Sequence, residues 1–184
     1  MADSNITKRA LAAALKELME QKPFSKINVA EICEKCGMNR KSFYYHFKDK
    51  YDLVNWIFDM DFAKVLEAHE KKDYFTWPFL EALCECFYEN RCFYRKALKI
   101  REQNCLIDHY REKLEPFMQA GMRKILHETE YMDFQINFFA DVFIGSLERW
   151  LSESDCMSAS ELIARVKACI KSCAEIAEIS EGAE

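Results

Sequence analysis

The residues best suited to chemistry in this sequence lie in one short stretch, 40–50, where cations and aromatic side chains alternate. Phe43 and Phe47 are four positions apart, which places them on one side of a helix, where they can anchor it to a core. At about 100° per residue, Lys41 and Tyr45 then lie roughly opposite that anchored side. A short helix that presents cations and aromatics in this way is typical of a nucleic-acid reader.

The first turn of this helix contains the residues that are expected to read bases. Side chains in the first turn of a recognition helix reach base edges in the major groove, whereas later or flanking residues tend to meet phosphates. Arg40 and Lys41 occupy that first turn. An arginine can pair bidentately with guanine, which discriminates against other bases by about 1–3 kcal/mol. We therefore expect Arg40 and Lys41 to determine which DNA sequence is bound.

Capping signals predict the elements that hold this helix in place. Asn28 and Glu31 form a capping-box pattern at the start of a preceding helix, and Gly37 supplies the turn that ends it. Asn39 can cap the recognition helix itself. An earlier amphipathic helix is predicted from about 5 to 21, because apolar residues recur there at three- and four-residue spacing. Together these signals predict a three-helix module that contains a helix-turn-helix.

A fourth helix is predicted to begin after Asp49, because Asp52 follows it three residues later. Lys50 lies in its first turn, where backbone N–H groups and the helix dipole favour an anion, so it is expected to clamp a DNA phosphate. The helix is expected to continue to about Lys71 and to join the N-terminal module rigidly to a larger body.

Composition limits the fold class and the compartment. Half of the 184 residues are hydrophobic and only four Gly and three Pro occur, which favours helices with short connections over a turn-rich β fold. No run of about 18 apolar residues and no signal-peptide pattern is present, so a soluble, cytoplasmic protein without a membrane partner is expected. The first 50 residues hold ten Lys or Arg against six Asp or Glu, although the whole chain has a net charge of −5. Either this basic end attracts phosphates or it is ordinary scatter of surface charge.

Nine cysteines raise the question of metal or redox chemistry. In a cytoplasmic chain they are expected to stay thiols, and an odd number cannot pair completely. Cys33 and Cys36 form a CxxC, but no second CxxC and no suitably placed pair of His completes a zinc site. The two thiols are expected to be small buried residues at the turn, with redox sensing as the alternative. No metal and no cofactor is predicted.

The middle of the chain is predicted to form further helices. Thr76 and Pro78 open one of them, and segments near 91–103 and 107–128 follow, the latter kinked or restarted at Pro116. Aromatic and Met side chains on these helices are candidates for an effector pocket, although such a stripe at helical spacing is also typical of a core. The candidates are Phe87, Tyr94, Tyr110, Phe117 and Met122.

Two C-terminal segments, 133–153 and 160–179, carry more apolar surface than one protomer normally buries. Phe134, Phe138 and Val142 widen the apolar stripe of the first segment, and the second repeats in nearly heptad fashion. Two such helices from each of two chains can form a four-helix dimer interface; alternatively, both complete the core of the monomer. The candidate interface residues are Phe139, Phe143, Leu147, Trp150, Leu162, Val166, Cys169 and Cys173.

These patterns predict an all-α fold of about nine helices. Residues 1–50 are expected to form a helix-turn-helix DNA-binding domain, and 51–184 a helical domain for effector binding and dimerisation. No catalytic residue is predicted, because the four His are scattered over separate helices, no Gly-rich phosphate loop exists, and no Ser or Cys stands in a nucleophile signature.

Four N-terminal features recur in a familiar order: Thr7, Val29-Ala30-Glu31-Ile32, Cys36-Gly37-Met38, and Phe43-Tyr44-Tyr45-His46-Phe47-Lys48-Asp49-Lys50 followed by Leu53. In order and spacing they resemble the DNA-binding domain of the TetR family of bacterial transcription regulators. The resemblance implies that one set of residues touches DNA, namely Asn28, Arg40, Lys41, Ser42, Tyr44, Tyr45, His46 and Lys50. The family commonly has small or polar residues at the positions of Cys36, Arg40 and Lys41, and these departures concern the operator sequence rather than the fold.

Two parts of the body, 89–94 and 148–151, resemble the subgroup that includes regulators of dihydroxyacetone kinase operons. Some members of that subgroup resemble activators that work through a protein co-activator. Two functions are therefore open. The first is a homodimeric regulator that binds a palindromic operator in double-stranded DNA and responds to a small-molecule effector. The second is an activator with the same DNA reader, whose body docks a protein co-activator.

Overall fold

The computed structural model describes residues 2–69, 76–101, 105–125 and 130–181, and for 2, 3, 122, 124, 125 and 174–181 it describes the backbone alone. In these ranges the regular structure is helical and contains no strand, so the all-α prediction is confirmed. None of the described helices is both long and apolar enough to cross a bilayer. The helices are α1 (Ala2–Gln21), α2 (Val29–Lys35), α3 (Arg40–His46), α4 (Lys50–Ala68), α5 (Trp77–Glu89), α6 (Arg91–Ala97), α7 (Leu106–Ile125), α8 (Met132–Ser152) and α9 (Ala159–Glu181), with a 3-10 turn at Phe24–Lys26.

Side-chain caps confirm the predicted starts of α4 and α5. Asp49 Oδ1 accepts hydrogen bonds from the N–H groups of Tyr51 and Asp52, each at 2.8 Å, and α4 begins there. Thr76 Oγ1 accepts from the Phe79 N–H at 3.4 Å at the start of α5. Such caps satisfy N–H groups that have no partner within the helix, which is why their positions can be predicted from sequence.

Helix α7 runs through Pro116 as one helix, so the predicted restart does not occur. Proline removes a single backbone N–H from the helix. Leu114 and Met118, on either side of it, are both buried, and their packing holds the helix together across the missing bond. Helices α4 and α6 end at Ala68 and Ala97, earlier than the sequence pattern predicted.

One apolar core extends through the N-terminal module into the body. Leu11 and Leu15 of α1, Phe43 of α3, and Leu53 and Val54 of α4 are all buried in it. Each large side chain buried in this way contributes about 1.5–3 kcal/mol. The predicted boundary at residue 50 therefore lies within a continuous core, and the module cannot tilt without disturbing the body.

Three consecutive residues of α6 connect three other helices. The Tyr94 hydroxyl donates to Asp61 Oδ2 of α4 at 2.8 Å. Arg95 Nε donates at 2.5 Å to a backbone carbonyl in the last turn of α8, and the Lys96 ammonium donates to the Met19 carbonyl in the last turn of α1. Cations at the carbonyl end of a helix also interact favourably with its dipole. Helix α6 thereby fixes the relative positions of α1, α4 and α8.

Half of the predicted dimer-interface residues lie in the core of the single chain. Phe143, Leu147, Trp150 and Leu162 are at most 8% exposed and lie in the main apolar cluster. Helix α8 is apolar around much of its circumference, and its sequence did not specify which edge faces the core. The other four predicted residues, Phe139, Val166, Cys169 and Cys173, are more accessible.

The residues predicted to line an effector pocket pack against one another. The ring centroids of Phe87 and Tyr94 are 4.4 Å apart, and those of Phe87 and Tyr110 are 5.9 Å apart. Phe117 is partly buried against the same core, and the side chain of Met122 lies outside the described residues. A groove beside α8 and another between α1 and α4 are both lined by other residues.

Candidate nucleic-acid interface

The predicted capping box fixes the start of α2. Asn28 Oδ1 accepts from the Glu31 N–H at 3.0 Å, and the Asn28 N–H donates to Glu31 Oε2, also at 3.0 Å. The Lys22 ammonium donates to the same carboxylate. Hydrogen bonds from Lys22 and then from the Asn28 backbone lower the pKa of Glu31, so the carboxylate remains an acceptor at more acidic pH than an isolated one would.

The turn between α2 and α3 has the predicted geometry. Gly37 has φ +68°, a left-handed conformation that glycine adopts without steric cost. The Met38 N–H donates to the Cys33 carbonyl at 2.8 Å and closes the end of α2. Asn39 Oδ1 then accepts from the Ser42 N–H at 2.8 Å and caps α3, as predicted. These local bonds fix the angle at which α3 leaves the turn.

Helix α3 is anchored on one side and faces solvent on the other. Phe43 is fully buried, and Phe47, which directly follows the helix, is 3% exposed. On the opposite side Tyr45 is 82% exposed, and Lys41 is exposed beside it. This is the arrangement that the four-residue spacing of the two phenylalanines predicted.

Contacts between neighbouring side chains orient the exposed residues of α3. The Tyr44 ring meets Phe43 edge-on at 5.5 Å, and the Arg40 guanidinium lies 6.0 Å from the Tyr44 centroid. The Tyr45 ring meets His46 edge-on at 4.9 Å. Side chains that are already ordered lose less conformational entropy when they bind a partner. The first turn of α3 therefore presents a cation that is partly preorganised on an aromatic ring.

Seven of the eight candidate DNA-binding residues are accessible in positions that fit the prediction. Ser42 and His46 are partly exposed, and the other five are exposed. Those five are Asn28, Arg40, Lys41, Tyr44 and Tyr45.

Lys50 is the exception among the candidates. Its ammonium donates to the backbone carbonyls of Phe24 at 2.9 Å and Ile27 at 2.8 Å, and it lies 4.3 Å from the centroid of the Phe24 ring. These bonds tie the start of α4 to the 3-10 turn between α1 and α2. Instead of projecting toward a phosphate, as the sequence suggested, the ammonium is drawn inward by carbonyls more than twenty residues away.

Replacing Lys50 with Met is expected to lower the free energy of unfolding by about 2 kcal/mol, because hydrogen bonds from a charged group are lost and two carbonyls are left unsatisfied. Urea denaturation measures this change. The slope of log K against log salt for operator binding should stay unchanged, whereas loss of a phosphate contact would reduce it by about one. Lys48→Met is the matched control, since Lys48 is exposed. An equal loss of stability in both variants would contradict a stabilising role for the hydrogen bonds of Lys50.

A further cation lies near α3, at a position that the sequence patterns did not predict. The Lys8 ammonium of α1 is 5.7 Å from the Phe47 ring centroid and 5.8 Å from that of Trp56. It therefore stands beside the C-terminal end of α3. Helical spacing in α1 gave no signal for this position, because the contact joins three elements that only the tertiary fold brings together.

The CxxC of the turn has the properties of a structural pair. Burial raises the pKa of both Cys33 and Cys36. The Cys36 thiol donates to the Ile32 carbonyl at 3.2 Å. Because only the thiolate is nucleophilic, these surroundings favour the structural interpretation over redox sensing. Within the described ranges, no three His, Cys, Asp or Glu side chains converge where they could hold a metal ion.

A capped helix-turn-helix held by buried aromatics and continued into an all-helical body defines a helix-turn-helix transcriptional regulator. Residues 10–57 match the family model described as bacterial regulatory proteins of the tetR family, and residues 76–172 match the one described as a transcriptional regulator C-terminal region. The chain belongs to the TetR family of bacterial transcriptional regulators. The resemblance noted in the sequence is thus confirmed, and with it the expectation of a DNA-binding regulator rather than an enzyme.

The chain also resembles individual members of this family. Over 101 residues the chain is 34% identical to the dhaKLM operon transcriptional activator DhaS of Lactococcus lactis subsp. lactis (strain IL1403); the match spans 54% of this chain and 53%, about half, of that relative. A solved structure of a dihydroxyacetone kinase operon activator DhaS superposes with a TM-score of 0.67 at 22% identity, covering 93% of this chain and 97% of that one. A TetR regulator from Streptococcus agalactiae 2603V also gives 0.67, at 21% identity, over 89% and 93% of the two chains. The two structures show the same fold.

Proposed function

We propose that this protein is a homodimeric regulator that binds a palindromic operator through two copies of α3 and is controlled by a small-molecule effector. The observation that carries the DNA-binding part is the anchoring of α3 on Phe43 and Phe47, which leaves Lys41 and Tyr45 in solvent. Selection of bound genomic fragments in vitro tests it. An inverted repeat whose half-sites are about 34–36 Å apart supports the proposal, and a single unrepeated site contradicts it.

The dimer is proposed to form on an exposed ridge of α8 made of Phe134, Phe138, Val142 and Gly145, hereafter the α8 ridge. The first three are 71%, 53% and 52% exposed, and the rings of Phe134 and Phe138 are stacked at 6.4 Å. A contiguous apolar surface of this kind usually marks an interface. A Cβ added at Gly145 would meet no atom within 4 Å, so another helix can approach the backbone closely there.

Helix α9 is proposed to contribute a second apolar surface to the dimer interface. Ile170 is 41% exposed, and Cys169 and Cys173 are accessible on the same half of the helix. A two-fold interface uses the same patch on both subunits, so one apolar patch per chain is sufficient for a closed dimer. Pairing two chains through α8 and α9 places two readers on one molecule, which a palindromic operator requires.

The effector is proposed to bind beside Tyr110. Its hydroxyl is buried and has no hydrogen-bond partner in the described part of the chain, and burial raises its pKa well above the usual range. The ring lies 5.4 Å from Phe58 of α4 and 5.9 Å from Phe87 of α5. A buried hydroxyl without a partner costs about 1–3 kcal/mol, and a ligand that brings an acceptor recovers that cost. An effector here would separate α4 from α7, and α6 would transmit the change to α1.

Replacing Tyr110 with Phe is expected to raise the free energy of unfolding by about 1 kcal/mol, because it removes a polar group that the core leaves unpaired. Urea denaturation measures the change. The matched control is Tyr94→Phe, which should have the opposite sign, since the Tyr94 hydroxyl donates to the buried Asp61. Destabilisation by Tyr110→Phe would show that the hydroxyl has a partner and would remove the support for an effector there.

A second candidate function is an activator whose body docks a protein co-activator on the α8 ridge. The relative named as an operon activator supports it, together with the exposed aromatics. Sedimentation of the purified chain distinguishes the two: a dimer in the absence of other proteins supports the first proposal. A monomer that captures a second protein only when Phe138 is intact supports the co-activator.

A further inference from the structure

A surface groove opens where the N-terminal module meets α4. It lies between α1 and α4, has a volume of about 320 Å³, and is distinct from the aromatic cluster around Tyr110. On α1 it is lined by Arg9, Ala12, Ala13 and Lys16, which are spaced so that they share one face of the helix. Ala13 is exposed on this face, so its small side chain leaves the groove open beside it, whereas Ala12 is buried at the base.

Positive charge dominates the groove. Arg9, Lys16 and Lys64 line it together with a single carboxylate, Asp61. That carboxylate is already satisfied, because it accepts from the Tyr94 hydroxyl at 2.8 Å and lies 3.6 Å from Lys16 and 3.4 Å from Lys64. Two of the three cations therefore pair with the one carboxylate, and the lining of the groove has two positive charges in excess. Partly enclosed charges of one sign attract a ligand of the opposite sign.

The wall of the groove on α4 is apolar. Trp56 and Met60 are partly exposed along it, beside the buried Ile57. An indole face and a thioether can pack against an aromatic or aliphatic group while the cations hold an anionic head. A binding site with an apolar wall and a few convergent polar groups is the usual form of a small-molecule site.

From this arrangement we propose that the groove binds a small phosphate monoester with an aromatic or aliphatic body. The phosphate, a dianion at neutral pH or above, balances the excess charge of Arg9, Lys16 and Lys64, and the organic group packs on Trp56. Lys16 also donates to Asn90 Oδ1 at 3.0 Å, at the junction of α5 and α6. A ligand held by Lys16 therefore acts on α1, α4 and α6 together.

Isothermal titration calorimetry with phenyl phosphate at pH 8 and low salt tests the site in the full-length protein. We expect saturable binding of phenyl phosphate, binding of inorganic phosphate that is weaker by about tenfold because it lacks the contact with Trp56, and no binding of phenol. Equal affinity for inorganic and phenyl phosphate would overturn the proposal, as would an absence of heat with phenyl phosphate at millimolar concentration.

Variants locate the binding. Arg9→Gln and Lys64→Gln should each weaken phenyl phosphate roughly three- to tenfold, while Lys99→Gln, an exposed lysine outside the groove, should leave it unchanged. Ala13→Leu should block the groove, and Ala63→Leu, at an exposed position of α4, is its control. Circular dichroism confirms that each variant folds. Unchanged affinity in Arg9→Gln, Lys64→Gln and Ala13→Leu would overturn the proposal.

A regulatory effect of this ligand rests on the proposed DNA-binding function. Operator affinity, measured by fluorescence anisotropy, should change at saturating phenyl phosphate in the unmodified protein but not in Ala13→Leu. Failure of the proposed function is recognised separately, because the protein would then not bind the operator even without phenyl phosphate. Operator affinity that is the same with and without the ligand would overturn the regulatory part.

Discussion

Replacing Lys41 or Tyr45 with Ala is expected to abolish sequence-specific operator binding and to leave the thermal midpoint of unfolding unchanged. Both side chains are exposed on the face of α3 opposite its buried phenylalanines, so neither contributes to the core. Each lost base or phosphate contact costs about 1–3 kcal/mol, and in a two-fold complex the loss occurs in both half-sites. Specific affinity should then fall to the level of non-specific DNA. Anisotropy titrations with the selected operator and with a scrambled duplex measure the difference.

Two control variants distinguish the loss of a specific DNA contact from the mere loss of a positive charge and from the loss of a hydroxyl group. Lys99→Ala removes an exposed lysine outside the reader and should bind the operator normally. Tyr45→Phe retains the ring, so any activity that it recovers relative to Tyr45→Ala reports packing against DNA rather than a hydroxyl contact. If Lys41→Ala and Tyr45→Ala both retain full preference for the operator, then α3 is not the recognition helix.

Replacing Phe138 with Glu is expected to convert the protein into a folded monomer. Phe138 is 53% exposed in the single chain, so the substitution leaves the core intact. In a two-fold dimer the same side chain is lost from both subunits. Because each ring has only about half of its surface left to bury, this removes about 1.5–3 kcal/mol of apolar burial in total and introduces two carboxylates into the interface. The dissociation constant should rise by at least about one to two decades. Analytical ultracentrifugation over a range of concentrations measures the change.

The neighbouring positions of α8 provide the controls for this experiment. Asn137→Glu, at an exposed position outside the α8 ridge, should leave the protein dimeric. Phe143→Glu should unfold the chain rather than dissociate it, because Phe143 lies in the main apolar cluster and an unpaired charge there is costly. A Phe138→Glu protein that remains dimeric at all concentrations would exclude the α8 ridge as the interface.

The sequence was most informative where structure depends on nearby residues. Asn28 with Glu31, Gly37, Asn39 and Asp49 each act on backbone groups within a few positions, so their caps and turns could be predicted and are confirmed. The buried side of α3 followed in the same way, because two phenylalanines four residues apart admit only one anchored face. The family motif rests on these same local features.

Contacts between side chains and distant segments of the chain could not be predicted in the same way. Lys50 stands at a helix start, where it suggested a phosphate clamp, yet its partners are carbonyls of the turn after α1. The cations of α6 likewise gave no sign in the sequence that they cap α8 and α1. Their partners are selected by packing between distant segments, which helical periodicity does not encode.

Helix α8 shows most clearly how the sequence and the tertiary structure divide the information. By itself the sequence determined that α8 is a helix, that it is apolar around much of its circumference, and that the chain carries a DNA reader at its other end. Only the tertiary structure decided that Phe143 and Leu147 face the core while Phe134 and Phe138 remain in solvent. The physical reason is that hydrophobic burial has no direction of its own, so a helix that is apolar around much of its circumference is oriented by the surfaces that its neighbours offer.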